Sequence, residues 1–326
     1  MRAAVVTTGG RFELVDQPEP EPGPGELVVR VTACGLCGSD AKARFAMPPG
    51  TVMGHEFGGE VVAAGSQVSG WRAGTQVAVL PVLSCGRCAW CRAGFVVYCE
   101  HARLIGLGGA PGGFAEYAVV RPAAAFVMPE QVDPVHSALV EPFVVGLHCL
   151  RAATNVAGAD VLVIGAGSVG LTSMVWARLL GAHRITAVDP IEGRRARAVA
   201  SGASDAVSSL EDVEPSSYDL VIECVGAPGL LDRCLALVRP RSQIVVAGVC
   251  IEPDELTSMA ALMKEVSIHF AVYYTPDDFR SVIEAIAGGQ IDPATLLSAQ
   301  HDLGTLNEAF NELAASTAGG KILLTP

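Results

Sequence analysis

The hexapeptide Gly165-Ala166-Gly167-Ser168-Val169-Gly170 constrains the fold of this chain more than any other feature. It follows directly on an apolar, β-branched run, Val161-Leu-Val-Ile164, and it opens a stretch of helical periodicity, Val169 to Leu180. A strand that turns on glycine into a helix is the first half of a βαβ unit. Gly165 allows the tight turn, Gly167 lets a ligand approach the backbone, and Gly170 lets helix and strand pack closely. Free N–H groups at such a helix start, where Ser168 and Val169 lie, favour an anion. A lone GxGxxG is weak, and an ordinary βα turn is its plain alternative. Here Asp189 also ends the next strand candidate, about twenty positions on, as dinucleotide sites require. Its carboxylate suits the adenosine ribose hydroxyls and would repel a 2′-phosphate, so NAD is expected rather than NADP. Arg194 and Arg195 are the groups that could hold such a phosphate; facing solvent is their plain alternative.

Further strand candidates, Arg184–Val188, Leu220–Ile222 and Gln243–Ala247, alternate with helical stretches Gly193–Ser201 and Gly229–Val238. This alternation predicts an α/β, doubly wound parallel sheet of the Rossmann kind over residues 143–272. Residues 1–142 read differently, as short β-rich runs (Val28–Ala33, Gly59–Ala63) with dense Gly-Pro punctuation. Residues 273–326 hold helical periods near 277–287 and 306–315 and a closing strand, Lys321–Leu324. They are expected to return and complete the first domain.

Four cysteines cluster as Cys85-x2-Cys88-x2-Cys91-x7-Cys99 within a lobe of about residues 80–104. One tetrahedral ion can gather all four thiolates, and four protein ligands leave no position for substrate, so a structural zinc is expected. Disulfides would need an oxidising compartment, and the short run Ala3–Val6 is far from a secretion signal's apolar core. An iron–sulfur cluster shares the C-x2-C-x2-C opening but continues with a three-residue gap and Cys-Pro, which this chain lacks. Cys34, Cys149, Cys224, Cys234 and Cys250 read as small packed hydrophobes.

At 326 residues the chain allows two domains. Half the residues are hydrophobic and the mean hydropathy is +0.41, enough for a large core. A formal charge of -12 argues against a nucleic-acid partner. No apolar run approaches the roughly 20 residues of a membrane helix, so a cytoplasmic protein is expected.

A second cluster is mixed. Cys37-Gly-Ser39-Asp40, Gly54-His55-Glu56 and Glu141-Pro142 offer a thiolate, an imidazole and carboxylates, the donor set of a metal site that keeps a position open. Spacing alone does not establish that these groups converge.

The sum of these pieces resembles the zinc-dependent medium-chain dehydrogenases, close to the sorbitol, threonine and secondary-alcohol dehydrogenase branch. The matching pieces are Cys34-Gly-Leu-Cys37-Gly-Ser-Asp40, Gly54-His-Glu56, Gly65 with Gly74-Thr-Gln-Val77, the cysteine lobe, Gly112-Gly-Phe-Ala-Glu-Tyr117, Glu141-Pro142 and the glycine hexapeptide. They stand in family order across essentially the whole chain. The resemblance implies a β-rich GroES-like catalytic domain beside the Rossmann domain, with the active site in the cleft between them. It implies two zinc ions per subunit, one catalytic and one structural, and NAD as cofactor. Cys37 and His55 match catalytic zinc ligands, Glu56 a third ligand or one that exchanges with water, and Glu141 a ligand or a holder of the water. Ser39 matches the hydroxyl that shuttles the substrate proton. Lys321 falls where a basic residue lies near the cofactor pyrophosphate, and Val225, Val249 and Val272 fall in cofactor-lining segments.

Two positions depart from relatives. Lys42 stands where several carry the outer histidine of a proton relay, and Tyr273-Tyr274 stands where sorbitol-type enzymes have Arg-Tyr. Two aromatics suit a less polar or ring-shaped substrate, or fill core. The implied activity is interconversion of a secondary alcohol (polyol, sugar alcohol or cyclitol) and its ketone, in a homodimer or homotetramer. The alternatives are an NADP-dependent carbonyl reductase and a non-catalytic dinucleotide-binding protein.

Overall fold

A computed structural model of the chain describes residues 1–326. It divides into two compact units, one of residues 1–141, 274–316 and 321–326, the other of 142–273 and 317–320.

The first unit begins with β1 (Arg2–Val6) and β2 (Phe12–Asp16), an antiparallel pair. β3 (Leu27–Gly35), α1 (Gly38–Ala43), β4 (Glu56–Ala64) and β5 (Gln76–Val79) follow. A small lobe comes next, in which β6 (Val82–Leu83) and β7 (Arg103–Leu104) pair on either side of α2 (Ala89–Arg92). β8 (Tyr117–Val120), β9 (Ala125–Val127) and α3 (Val140–Arg151) lead into the second unit.

The second unit alternates strand and helix up to β12: β10 (Asp160–Ile164), α4 (Ser168–Leu179), β11 (Arg184–Val188), α5 (Glu192–Ala200), then β12 (Asp205–Val207). β13 (Tyr218–Glu223), α6 (Leu230–Leu237), β14 (Val238–Val246), α7 (Ser258–Lys264) and β15 (Ser267–Phe270) complete it. The strands form one parallel sheet, ordered β12-β11-β10-β13-β14-β15. Central strands are apolar throughout, as in Val161–Ile164, because both sheet faces are covered. The strand order reverses at β10 and β13, and ligands of such sheets bind beyond the carboxyl ends at that point.

α8 (Pro276–Ala287), β16 (Leu297–Asp302), α9 (Leu306–Ala315) and β17 (Lys321–Thr325) return to the first unit. There the sheet order is β16-β17-β3-β4-β5-β9, with β8 also on β3. Its core centres on aromatic rings; Phe12 stacks on Phe310 at 5.3 Å, and Phe114 meets both edge-on.

The fold class agrees with expectation, and three details differ. Residues 317–320 group with the second unit rather than with the rest of 273–326. Ser168 Oγ donates to Gly320 O at 3.0 Å, and a Cβ on Gly193 would come 2.5 Å from Thr317 O. The strand expected at Gln243 starts earlier, at Val238, with a register shift that passes over Pro240 and Arg241. β15 was not foreseen, since an edge strand reading Ser-Ile-His-Phe has no continuous apolar signal.

Candidate metal and dinucleotide sites

The lobe gathers its thiols. The sulfurs of Cys85, Cys88, Cys91 and Cys99 all lie within 4.8 Å of one another. Cys91 Sγ is 3.9 Å from Cys85 Sγ and 3.5 Å from Cys88 Sγ. A tetrahedron built on bonds of about 2.3 Å has edges of about 3.8 Å, so this spacing fits one zinc ion. A disulfide would need about 2.05 Å, and every cysteine is a free thiol. Backbone N–H groups point at the sulfurs: Arg87 and Cys88 donate to Cys85 at 3.5 and 3.3 Å, and Cys85 and His101 to Cys99 at 3.3 Å each. The Arg87 and Cys88 amides pull the Cys85 thiol down to about 6. Thiolate, the form that binds metal, is thereby favoured.

The mixed cluster is assembled around β3, β4 and β17. β3 runs through Gly35 to Cys37, which caps α1. Asp40 is fully buried; Oδ2 accepts from Cys37 N at 3.2 Å, and Oδ1 lies 3.1 Å from His55 Nδ1. That contact fixes the ring and leaves Nε2 for another partner. Glu56 opens β4 opposite Gly35, where a Cβ would stand 2.3 Å from Glu56 Oε2. Lys321 Nζ donates to Glu56 Oε1 at 2.7 Å and to Leu36 O at 3.2 Å. Glu56 Oε2 is buried with no hydrogen-bond partner. One ligand atom each from Cys37, His55 and Glu56 lies within 4.8 Å of the others. An orphaned carboxylate oxygen beside a thiol and an oriented imidazole fits a bound zinc ion with an open position.

Lys321 is thus placed differently from the expectation. It is buried beside the mixed cluster, because β17 pairs antiparallel with β3 at Leu323↔Gly35 and Leu324↔Cys34 and so brings Lys321 beside Leu36 and Glu56. Burial disfavours its charge, but Glu56 and Cys37 outweigh that and hold the ammonium above the usual lysine range. Ser39 is exposed, its Oγ donating to Cys37 Sγ at 3.1 Å, and Lys42 is exposed. Cys34 is a buried, packed thiol.

Glu141, in the first turn of α3, is buried but stands outside the converging three. Its Oε1 accepts from Tyr274 Oη at 2.6 Å. Burial, and then the Glu56 carboxylate, pushes Glu141 up to about 7. Sequence reasoning noted Asp40 and Tyr274 but assigned neither a partner; here Asp40 meets His55 and Tyr274 meets Glu141. Asp40 has a local signal, an acidic residue three positions after the capping Cys37. Tyr274 has none, since its partner is 133 residues away.

In the second unit the glycines carry the geometry of a dinucleotide turn. Gly165 has φ +93°, and a Cβ on Gly170 would lie 1.9 Å from Gly165 O. A Cβ on Gly167 would meet nothing within 4 Å, so open space faces the backbone there. α4 has no side-chain cap at its start, which leaves the N–H groups near Ser168 and Val169 for an anion. Ser168 Oγ itself is spent on Gly320 O. Asp189 is buried at the end of β11, accepting from Ala166 N and Ile191 N at 2.9 Å each. Arg194 Nη1 lies 4.0 Å from Asp189 Oδ2, and Arg195 Nη1 donates to Asp189 O at 2.8 Å, so both turn back to Asp189 rather than simply into solvent. Val225, Val249 and Val272 are exposed. Buried Glu223 shapes the loop of Val225 by accepting from Val225 N at 2.6 Å and Gly226 N at 2.7 Å.

Residues 23–130 match the alcohol dehydrogenase GroES-like domain, and residues 168–288 match the zinc-binding dehydrogenase domain. Starvation-sensing protein RspB of Escherichia coli is 31% identical over 95% of both chains. The chain belongs to the zinc-dependent medium-chain dehydrogenase/reductase family. This dehydrogenase is therefore an oxidoreductase. A solved E. coli RspB complexed with NADH has a TM-score of 0.92 at 28% identity, covering 100% of this chain and 99% of that one. A zinc-binding dehydrogenase of Sinorhizobium meliloti bound to NADP also has a TM-score of 0.92, at 31% identity with 100% and 99% coverage. Galactitol 1-phosphate 5-dehydrogenase of E. coli is 28% identical over 100% of both chains. No helix of this dehydrogenase is long and apolar enough to cross a membrane.

Proposed function

We propose that this dehydrogenase interconverts a secondary alcohol of polyol, sugar-alcohol or cyclitol type and its ketone, with NAD as cofactor. The observation that carries the reading is the buried, unpartnered Glu56 Oε2 beside Cys37 and His55. A zinc ion held by these three residues supplies Lewis acidity toward the substrate oxygen, and a nicotinamide supplies the hydride acceptor. Asp40 orients His55, and Lys321 offsets the Glu56 charge in a buried setting. Ser39, on the exposed side of Cys37, is the group to pass the substrate's hydroxyl proton toward solvent. The second zinc is held by Cys85, Cys88, Cys91 and Cys99 and is structural. Asp189 retains lone pairs for the ribose hydroxyls and supports NAD. Arg194 and Arg195 beside it, with an NADP-bound relative, favour the carbonyl-reductase reading as the second choice.

We also infer a homo-oligomer formed through β15. This open edge strand carries an exposed Phe270, and Met263 and Ile251 in the same unit are 75% and 82% exposed. Apolar groups on an unpaired edge call for cover, and a second copy supplies it with symmetry.

The test is initial rates over a panel of secondary alcohols and polyols with each cofactor, together with metal content. Turnover with NAD and two zinc ions per chain is expected. Cys37→Ser should abolish turnover while NADH still binds; full turnover in that variant would overturn the assignment.

A further inference from the structure

We propose that Glu223 is a positioning residue for the cofactor: its carboxylate locks the segments that follow β13 and β14 into one block, which receives the nicotinamide half of the dinucleotide. This role rests on the NAD reading given above and extends it to a residue outside the glycine turn.

Glu223 is the last residue of β13, buried, and no side-chain cation pairs with it. A buried carboxylate without a counterion must find N–H donors. Glu223 finds them in the backbone just ahead, where Oε1 accepts from Val225 N at 2.6 Å and Gly226 N at 2.7 Å. Its own carbonyl oxygen accepts from Ala247 N at 2.8 Å and Gly248 N at 2.9 Å, just past β14. One residue therefore binds both segments. Glycine lets the two touch. A Cβ on Gly248 would stand 2.1 Å from Gly226 N, and one on Gly226 (φ +69°) 2.5 Å from the Val249 carbonyl group.

The block is seated against the dinucleotide turn. A Cβ on Gly165 would lie 2.7 Å from Val225 Cγ2, so the Val225 side chain packs on the backbone between β10 and α4. The strand order supplies the direction. β10 lies between β11 on one side and β13, then β14, on the other. Asp189, just past β11, takes the adenosine ribose, and the turn after β10 takes the pyrophosphate. The other half of the cofactor then runs the opposite way, over the ends of β13 and β14. Exposed Val225 and Val249 stand there, each on a segment that Glu223 holds.

The test is calorimetric titration of the full chain with NADH and with ADP, which carries the adenosine and the phosphates but no nicotinamide. Glu223→Ala is expected to weaken NADH about tenfold and ADP by less than about twofold. Glu223→Gln keeps the accepting oxygen and should stay within about threefold of the parent for both. Equal weakening of NADH and ADP in Glu223→Ala would make Glu223 a general support of the sheet and overturn the proposal. So would unaltered NADH affinity, or a Glu223→Gln variant as weak as Glu223→Ala. If Glu223→Ala does not fold, Gly226→Ala parts the same two segments and is read in the same way: loss of NADH alone upholds the proposal, and equal loss or no loss overturns it. A parent chain that binds neither molecule would overturn the dinucleotide reading itself, whereas a parent that binds NADH beside an unaltered variant overturns the proposal alone.

Discussion

Lys321 Nζ lies 2.7 Å from Glu56 Oε1, which ties the last strand of the chain to the first residue of β4 in the interior of the first unit. Both side chains are 3% exposed or less. Removing one partner of such a pair strands the other charge. Lys321→Ala should therefore lower unfolding stability of the metal-free protein by about 3 kcal/mol, measured by urea denaturation. A loss below about 1 kcal/mol would mean that water reaches Glu56 and that the pair is not truly buried.

Asp40 makes a different kind of contact, since it holds a ring rather than a charge. With Asp40→Ala the His55 imidazole loses the partner on Nδ1. Zinc affinity at the Cys37 cluster should fall by about 10–100-fold, read by competition with a chelator, while the four-thiol zinc stays bound. Equal loss of both ions would point to general unfolding instead.

The four-thiol lobe is expected to behave as a folding clamp. Cys88→Ser should drop zinc content from two ions per chain to one and lower the melting temperature, with the remaining ion still supporting turnover in the protein that stays folded. Unchanged zinc content would refute the assignment of Cys88 as a ligand.

Two glycines of the dinucleotide turn should separate stability from binding. Gly170→Ala puts a Cβ 1.9 Å from Gly165 O and should destabilise the chain, seen as a lowered urea midpoint. Gly167→Ala meets open space, so stability should hold while NADH affinity, followed by fluorescence titration, weakens at least about tenfold. Equal NADH affinity in Gly167→Ala would place the pyrophosphate elsewhere.

Asp160 gives a pH signature. The His183 hydrogen bond, with Arg239 and Arg184 close by, holds its carboxyl below the usual aspartate value. A depressed folded-state pKa stabilises above the unfolded value near 3.8, and the contribution disappears as pH falls through the folded value. The partners are largely solvent-exposed, so Asp160→Asn should cost only about 1 kcal/mol at pH 7. That difference from the parent should shrink in urea titrations as pH is lowered from 3.8 through the folded value; a difference that stayed constant over that descent would assign the effect to packing rather than charge.

Much of the fold and part of the site can be read from short stretches of chain. The glycine hexapeptide between β10 and α4 works through a turn of a few residues, and the cysteines from Cys85 to Cys99 lie within reach of one ion whatever the rest does. Such features depend on contacts near in sequence, so residue type and spacing determine them. The Cys37, His55 and Glu56 cluster is intermediate: its donors are legible, but their convergence depends on β3 and β4 being in register. For Lys321 and Tyr274 the sequence offered a place in a family pattern but no partner. Lys321, expected near a pyrophosphate, is bonded to Glu56, and Tyr274, read as an aromatic that suits a substrate or fills core, is bonded to Glu141. Their roles were decided by the pairing of β17 with β3 and by the packing of α8, which bring residues across 265 and 133 positions of chain into single hydrogen bonds. A linear pattern records which groups a chain carries; only burial of the whole core fixes which distant groups must satisfy one another.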